Sequence, residues 1–78
     1  MNETQARILV LCENLERSLA FAEYISAKLD VDYNKISRYC RQMQHKGWLK
    51  MQKSGKKKLI FALSVAAIQD AKGFLENA

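Results

Sequence analysis

The stretch "LDVDYNKISRYCRQMQHKGWLKMQKSGKKKLIFALS", Leu29 to Ser64, changes its apolar period halfway along, and that change decides the fold. In the first half Ile36, Cys40 and Met43, with Tyr39 beside them, recur at helical spacing; from Leu49 onward apolar residues alternate. Asp32 is a strong N-cap, so a helix is expected from Tyr33, and Gly47 sits where a C-terminal glycine would end it. The preceding Leu29-Asp30-Val31-Asp32 has to turn, and Asp30 is one of the few non-glycine types that tolerates a left-handed backbone. Steps of about 100° per residue put Asn34, Ser37, Arg38, Arg41 and His45 opposite the apolar stripe. Beyond Gly47, Leu49 and Met51 share one face of a strand, and Leu59, Phe61 and Leu63 share one face of a second. Lys53-Ser54-Gly55-Lys56 supplies the turn, so the segment is expected to form a β-hairpin.

Working outward, Ala6, Ile8, Leu9, Val10, Leu11 and Cys12 cover most of a helix over residues 3 to 14, leaving Glu3, Arg7 and Asn14 as a narrow polar stripe. The short "ERSLA" that follows is expected to lay Leu19 into a sheet as one brief strand. A second helix is expected over residues 20 to 28, with Ala22, Ile25 and Leu29 inward and Glu23, Tyr24 and Lys28 outward. At the other end Ser64 can cap a last helix over about 65 to 76. There Val65, Ile68 and Leu75 form one apolar stripe and Ala67, Ala71 and Phe74 another. The expected fold class is mainly α with a small β-hairpin, α+β, as one domain over residues 1 to 78.

A chain of 78 residues has room for one modest core. No apolar run approaches the roughly 18 residues of a membrane helix, and "MNETQARI" has neither a basic leader nor an apolar signal core, so a cytoplasmic protein is expected. Cys12 and Cys40 lack metal-type spacing, and the single His45 cannot complete a zinc set, so both are read as small core residues and no metal is expected. Without a phosphate-binding glycine loop or a Ser/His/Asp set, neither an enzyme nor a cofactor is expected. The net charge of +5 is unevenly spread. Residues 31 to 60 hold nine basic side chains against Asp32 alone, a net +8; residues 1 to 30 hold three against five acids, −2; residues 61 to 78 hold one against two, −1. Scattered solvation does not produce one strongly basic segment between two acidic ones.

The order helix, short strand, helix, tight turn, helix, hairpin resembles a winged helix-turn-helix domain of the MarR-like and related bacterial, archaeal and viral regulators. Leu29, Val31, Asp32, Ile36, Ser37, Arg38, Met43, Gly47, Trp48, Leu49, Gly55, Leu63 and Ser64 carry the likeness. It implies a three-helix core with the helix-turn-helix at about 20 to 46, a wing at about 48 to 63 and a C-terminal helix. It also implies a sequence-specific double-stranded DNA-binding protein, a small transcriptional regulator. Asp30 stands where many such regulators have glycine and Cys40 where many have leucine. The long flanking helices that build an effector pocket in MarR-like regulators are matched here by one short C-terminal helix, so no small-molecule effector is expected.

In that docking mode the second helix of the motif enters the major groove. Asn34 suits adenine, Arg38 and Arg41 suit guanine, and Ser37 serves base or phosphate. Phosphate contacts are expected from Tyr33, Lys35, Gln42 and His45 on the helix and from Lys53, Lys56, Lys57 and Lys58 on the wing. Because strand neighbours alternate sides, either Lys57 or Lys58 can point elsewhere. Trp48 is expected to pack over the sheet and core edge rather than to stack on a base. A homodimer is the weaker expectation, with Ala67, Ala71 and Phe74 facing the partner. Two alternatives stay open: a winged-helix adaptor that binds proteins, and a DNA-binding accessory factor in replication or recombination.

Overall fold

The computed structural model describes residues 1 to 77. Helices α1 (Glu3–Asn14), α2 (Ala22–Leu29) and α3 (Tyr33–His45) are followed by strands β1 (Leu49–Ser54) and β2 (Lys57–Leu63) and helix α4 (Val65–Glu76). The core gathers Ala6, Ile8, Leu9 and Cys12 from α1, Ile25 from α2, Ile36, Cys40 and Met43 from α3, Leu49 and Ile60 from the hairpin, and Ala67 and Ala71 from α4. The central helix α1 begins with a reciprocal cap, in which Gln5 N–H donates to Asn2 Oδ1 at 2.8 Å and Asn2 N–H donates to Gln5 Oε1 at 3.0 Å.

The turn between α2 and α3 forms as its residue types dictate. Asp30 takes the left-handed conformation at φ 55°, ψ 48°, and Val31 N–H returns to Ser26 O at 3.2 Å. Asp32 then caps α3, its carboxylate accepting from Asn34 N–H at 3.1 Å. At the far end Gly47, at φ 77°, closes a Schellman motif: Trp48 N–H donates to Met43 O at 2.9 Å and Gly47 N–H to Gln44 O at 3.0 Å. The same glycine redirects the chain into β1, and Trp48 packs half-buried against the core.

Three expectations are corrected. The segment before α2 is a 3₁₀ turn (Arg17–Leu19) rather than a strand, and the sheet has only β1 and β2 among the described residues. One strand-like bond survives there, from Ile60 N–H to Ala20 O at 2.8 Å. In β2 the inward residues are Ile60 and Leu63, while Phe61 is 36% exposed. A bulge explains this: Lys50 opposes Ala62 but Met51 opposes Ile60, which leaves Phe61 unpaired and shifts the inward phase by one residue. In α4 the inward stripe is Ala67, Ala71 and Leu75, and Val65 is 70% exposed. The small side chains at i and i+4 let α4 lie close along α1, and Val65, about 200° around the helix from Ala67, faces away. Ala67 and Ala71 are therefore core residues and not a free surface for a partner; Phe74, 38% exposed, is the one residue of the three that remains outside.

Candidate nucleic-acid interface

The buried stripe of α3 fixes what its opposite face presents. With Ile36 and Met43 fully buried and Cys40 3% exposed, Asn34, Arg38, Arg41 and His45 project outward and are exposed. Lys35 and Gln42 flank this stripe on one side, Ser37 and Gln44 on the other. Ser37 is half-buried; Lys35 and Gln42 are exposed. Two of these flanks also hold the fold. Gln42 Oε1 accepts from the buried Gln5 Nε2 at 3.4 Å, tying α3 to the start of α1. Gln44 Oε1 accepts from Met51 N–H at 3.1 Å, satisfying a backbone donor beside the bulge and joining α3 to the wing.

The wing is a narrow hairpin whose two-residue tip is Gly55 and Lys56 between the paired Ser54 and Lys57. Gly55 has φ 62°, the left-handed region where glycine carries no steric penalty. Lys53, Lys56, Lys57 and Lys58 are all exposed. Between the wing and α3 runs an open cleft lined by Tyr33, Ser37, Arg41, Lys56, Lys57 and Lys58, with Cys40, Met51 and Ile60 at its floor and Glu23 of α2 on its wall. Tyr33, 44% exposed, lines this cleft with the basic residues.

Electrostatically the two elements form one surface. Among the described residues the ion pairs are Arg7 with Glu3 and Lys72 with Glu13, both outside the basic segment. Among the described residues none of the nine basic side chains of residues 31 to 60 forms an ion pair with a carboxylate, so their charge is largely exposed to solvent ions. Such a surface releases those ions when it meets a polyanion. Three of the cations lie over aromatic rings: Arg38 over Tyr39 at 5.6 Å, Lys46 over Trp48 at 5.0 Å and Lys57 over Phe21 at 4.0 Å. Lys57 is thus directed to the Phe21 ring.

The cysteines are buried, Cys12 6% and Cys40 3% exposed, with Cys40 beneath the cleft. Burial pushes the Cys12 thiol up to about 12, with Cys40 nearby adding to the shift, and pushes the Cys40 thiol up to about 11. Raised in this way, both thiols stay neutral at ordinary pH. Among the described residues no cluster of three or more His, Cys, Asp or Glu side chains is arranged for a metal ion, and no helix is long and apolar enough to cross a membrane.

Two ties escaped the sequence reading. Gln5 and Gln44 are polar residues whose carboxamides bridge elements far apart or at a bulge. The Asn-x-x-Gln spacing of residues 2 to 5 is a local signal for the cap at α1 that the sequence reading left unused; nothing local signals the bond from Gln44 to Met51.

The helix-turn-helix of α2 and α3, the hairpin that follows and the α1 scaffold behind them define a winged helix-turn-helix domain. Solved structures agree: a point mutant of ZitR from Lactococcus lactis superimposes with a TM-score of 0.72 at 22% identity, over 94% of this chain and 49% of that one. MepR, a transcription regulator of the Staphylococcus aureus multidrug efflux pump MepA, gives 0.70 at 17% identity, over 97% of this chain and 56% of its own. The chain therefore spans about half the length of these neighbours, and the likeness is one of fold. The sequence matches no protein-family model and no curated protein.

Proposed function

We propose that the protein is a sequence-specific double-stranded DNA-binding protein that acts as a small transcriptional regulator. The observation that carries this reading is the set of basic side chains, none in an ion pair, on the outer face of α3 and on the wing, which meet across one cleft. In this reading α3 enters the major groove, with Asn34, Ser37, Arg38 and Arg41 at base edges. Tyr33, Lys35, Gln42 and His45 meet the flanking phosphates, and the cleft beside the wing receives a backbone strand between Arg41 and the lysines. Lys53, Lys56 and Lys58 add affinity without sequence information. That MepR is a transcription regulator is consistent with this role.

A protein-binding adaptor would carry an apolar patch on α3. Among the described residues the exposed large apolar side chains are Tyr33, Phe61, Val65 and Phe74, and of these Tyr33 alone belongs to that helix. The charge and the α3 face thus favour DNA over protein. Selection of bound duplexes from a random DNA pool tests the reading. A recovered consensus supports it, and one or two copies of a half-site report whether the protein acts alone or as a two-fold pair. Recovery of duplex without any consensus would leave an architectural or accessory binder, and recovery of no duplex would remove the reading.

A further inference from the structure

We infer that Lys57 is a positioning residue, which sets the distance between wing and α3 by docking on the Phe21 ring at the start of α2 instead of binding phosphate. This role rests on the DNA-binding reading above. Lys57 Nζ lies 4.0 Å from the centre of the Phe21 ring, the shortest of the four cation-ring contacts among the described residues. Phe21 is half-buried at the N-cap of α2 and packs against Tyr24, with ring centres 6.2 Å apart and planes at 48°. Lys28 Nζ lies over the far ring of that pair at 5.6 Å. Two cations and two rings therefore form a ladder along α2, with the wing as its first rung.

The position of this contact matters because so little else restrains the wing. A two-stranded hairpin is marginal alone and needs support from packing. Its base is held by Gln44 Oε1, which accepts from Met51 N–H on β1, and by Ile60 N–H, which donates to Ala20 O from β2. Both ties lie below the tip. Lys57, three residues nearer the tip than Ile60, is anchored to Phe21, the neighbour of Ala20. Two ties on successive residues of one loop then fix the tilt of β2 as well as its place. The cleft that separates Lys56 and Lys58 from Ser37 and Arg41 keeps its width through that tilt. A phosphate strand in the cleft would meet groups held at one spacing before it arrives, which lowers the ordering cost of binding.

Two families of outcome separate a positioning role from a phosphate contact. Duplex titrations at several salt concentrations compare the wild type with Lys57→Met, Lys57→Arg, Phe21→Leu and, as the contact control, Lys56→Met. The expected result is about a two- to fivefold loss for both Lys57→Met and Phe21→Leu, the size of an exposed cation-ring contact. The slope of log affinity against log salt should stay unchanged in both, whereas Lys56→Met lowers it by about 0.9. Lys57→Arg, which also stacks on rings, retains wild-type affinity. A drop near 0.9 for Lys57→Met, or wild-type affinity in Phe21→Leu, would overturn the inference. The strut is also visible without DNA, as an upfield ring-current shift of the Lys57 ε-methylene protons that disappears in Phe21→Leu; its absence from the wild type would likewise overturn the inference. A wild type that shows the shift but binds no duplex would instead sink the DNA-binding reading, and with it the role of the strut in binding.

Discussion

The outer face of α3 and the wing carry the same sign of charge but are held in different ways. Helix α3 is capped by Asp32, closed by the Gly47 motif and pinned by Ile36, Cys40 and Met43, all buried. Its outward side chains therefore stand on a rigid base. The wing has two strands and a glycine tip, held by two hydrogen bonds at its root and by Lys57 on the Phe21 ring nearer the tip. Base-edge hydrogen bonds depend on the fixed geometry of a packed helix, whereas phosphates repeat along a duplex and can be met by a hairpin held at a few points. Under the proposed function, the comparison makes the helix the source of specificity and the hairpin the source of salt-sensitive affinity.

The largest effect expected from breaking this comparison lies under α3. Ile36 is fully buried, and Ile36→Ala should remove about 2 to 5 kcal/mol of stability through lost burial and a cavity. Chemical denaturation checks it, with a fall in midpoint and binding lost in step with folding. The hinge between the two regions comes next. At Gly47, φ 77°, no neighbouring atom stands where a Cβ would go, so Gly47→Ala meets backbone strain alone. It should cost about 1 to 2 kcal/mol in the same experiment. A wing variant has a smaller consequence: Lys58→Ala should lower the salt slope by about 0.9 while leaving the melting temperature unchanged. A stable protein with an unchanged slope would remove Lys58 from the phosphate contacts.

The smallest effect at neutral pH concerns the thiols behind α3. Cys12 and Cys40 should resist thiol reagents in the native protein and react on unfolding, as labelling followed by mass spectrometry would show. Their raised values fix the sign at high pH. Folding holds the neutral thiol, so this contribution is complete below the ordinary value of 9.0 and is lost as pH rises through about 11 to 12. Denaturation midpoints of the wild type and Cys12→Ala should therefore differ less at pH 11 than at pH 8.

The elements with strong end signals were legible in the sequence. Asp30, Asp32, Gly47 and Ser64 take the turn and cap roles that their chemistry suggests, and α3 starts at Tyr33 as expected. What failed was phase. In β2 the alternation of Leu59, Phe61 and Leu63 was misleading because a bulge at Phe61 is decided by pairing with β1, which local periodicity does not contain. In α4 two apolar stripes compete, and the close approach to α1 selects the one with small residues, Ala67 and Ala71. For the candidate site, the outward set on α3 followed from the helical period, and the exposure of Asn34, Arg38 and Arg41 agrees with it. The contact of Lys57 with Phe21 joins residues 36 apart and leaves no local trace.

The central claim is that α3 distinguishes sequences whereas the wing does not. The direct measurement is a pair of titrations at one fixed salt concentration, on a selected duplex and on its scrambled counterpart, for Asn34→Ala, Arg38→Ala and Arg41→Ala. These side chains are exposed, so folding is left nearly untouched. At least one arginine variant should lose about 1 to 3 kcal/mol more on the selected duplex than on the scrambled one. Equal losses on both duplexes for all three variants would contradict the claim and leave α3 a neutraliser of phosphates, no different in kind from the wing.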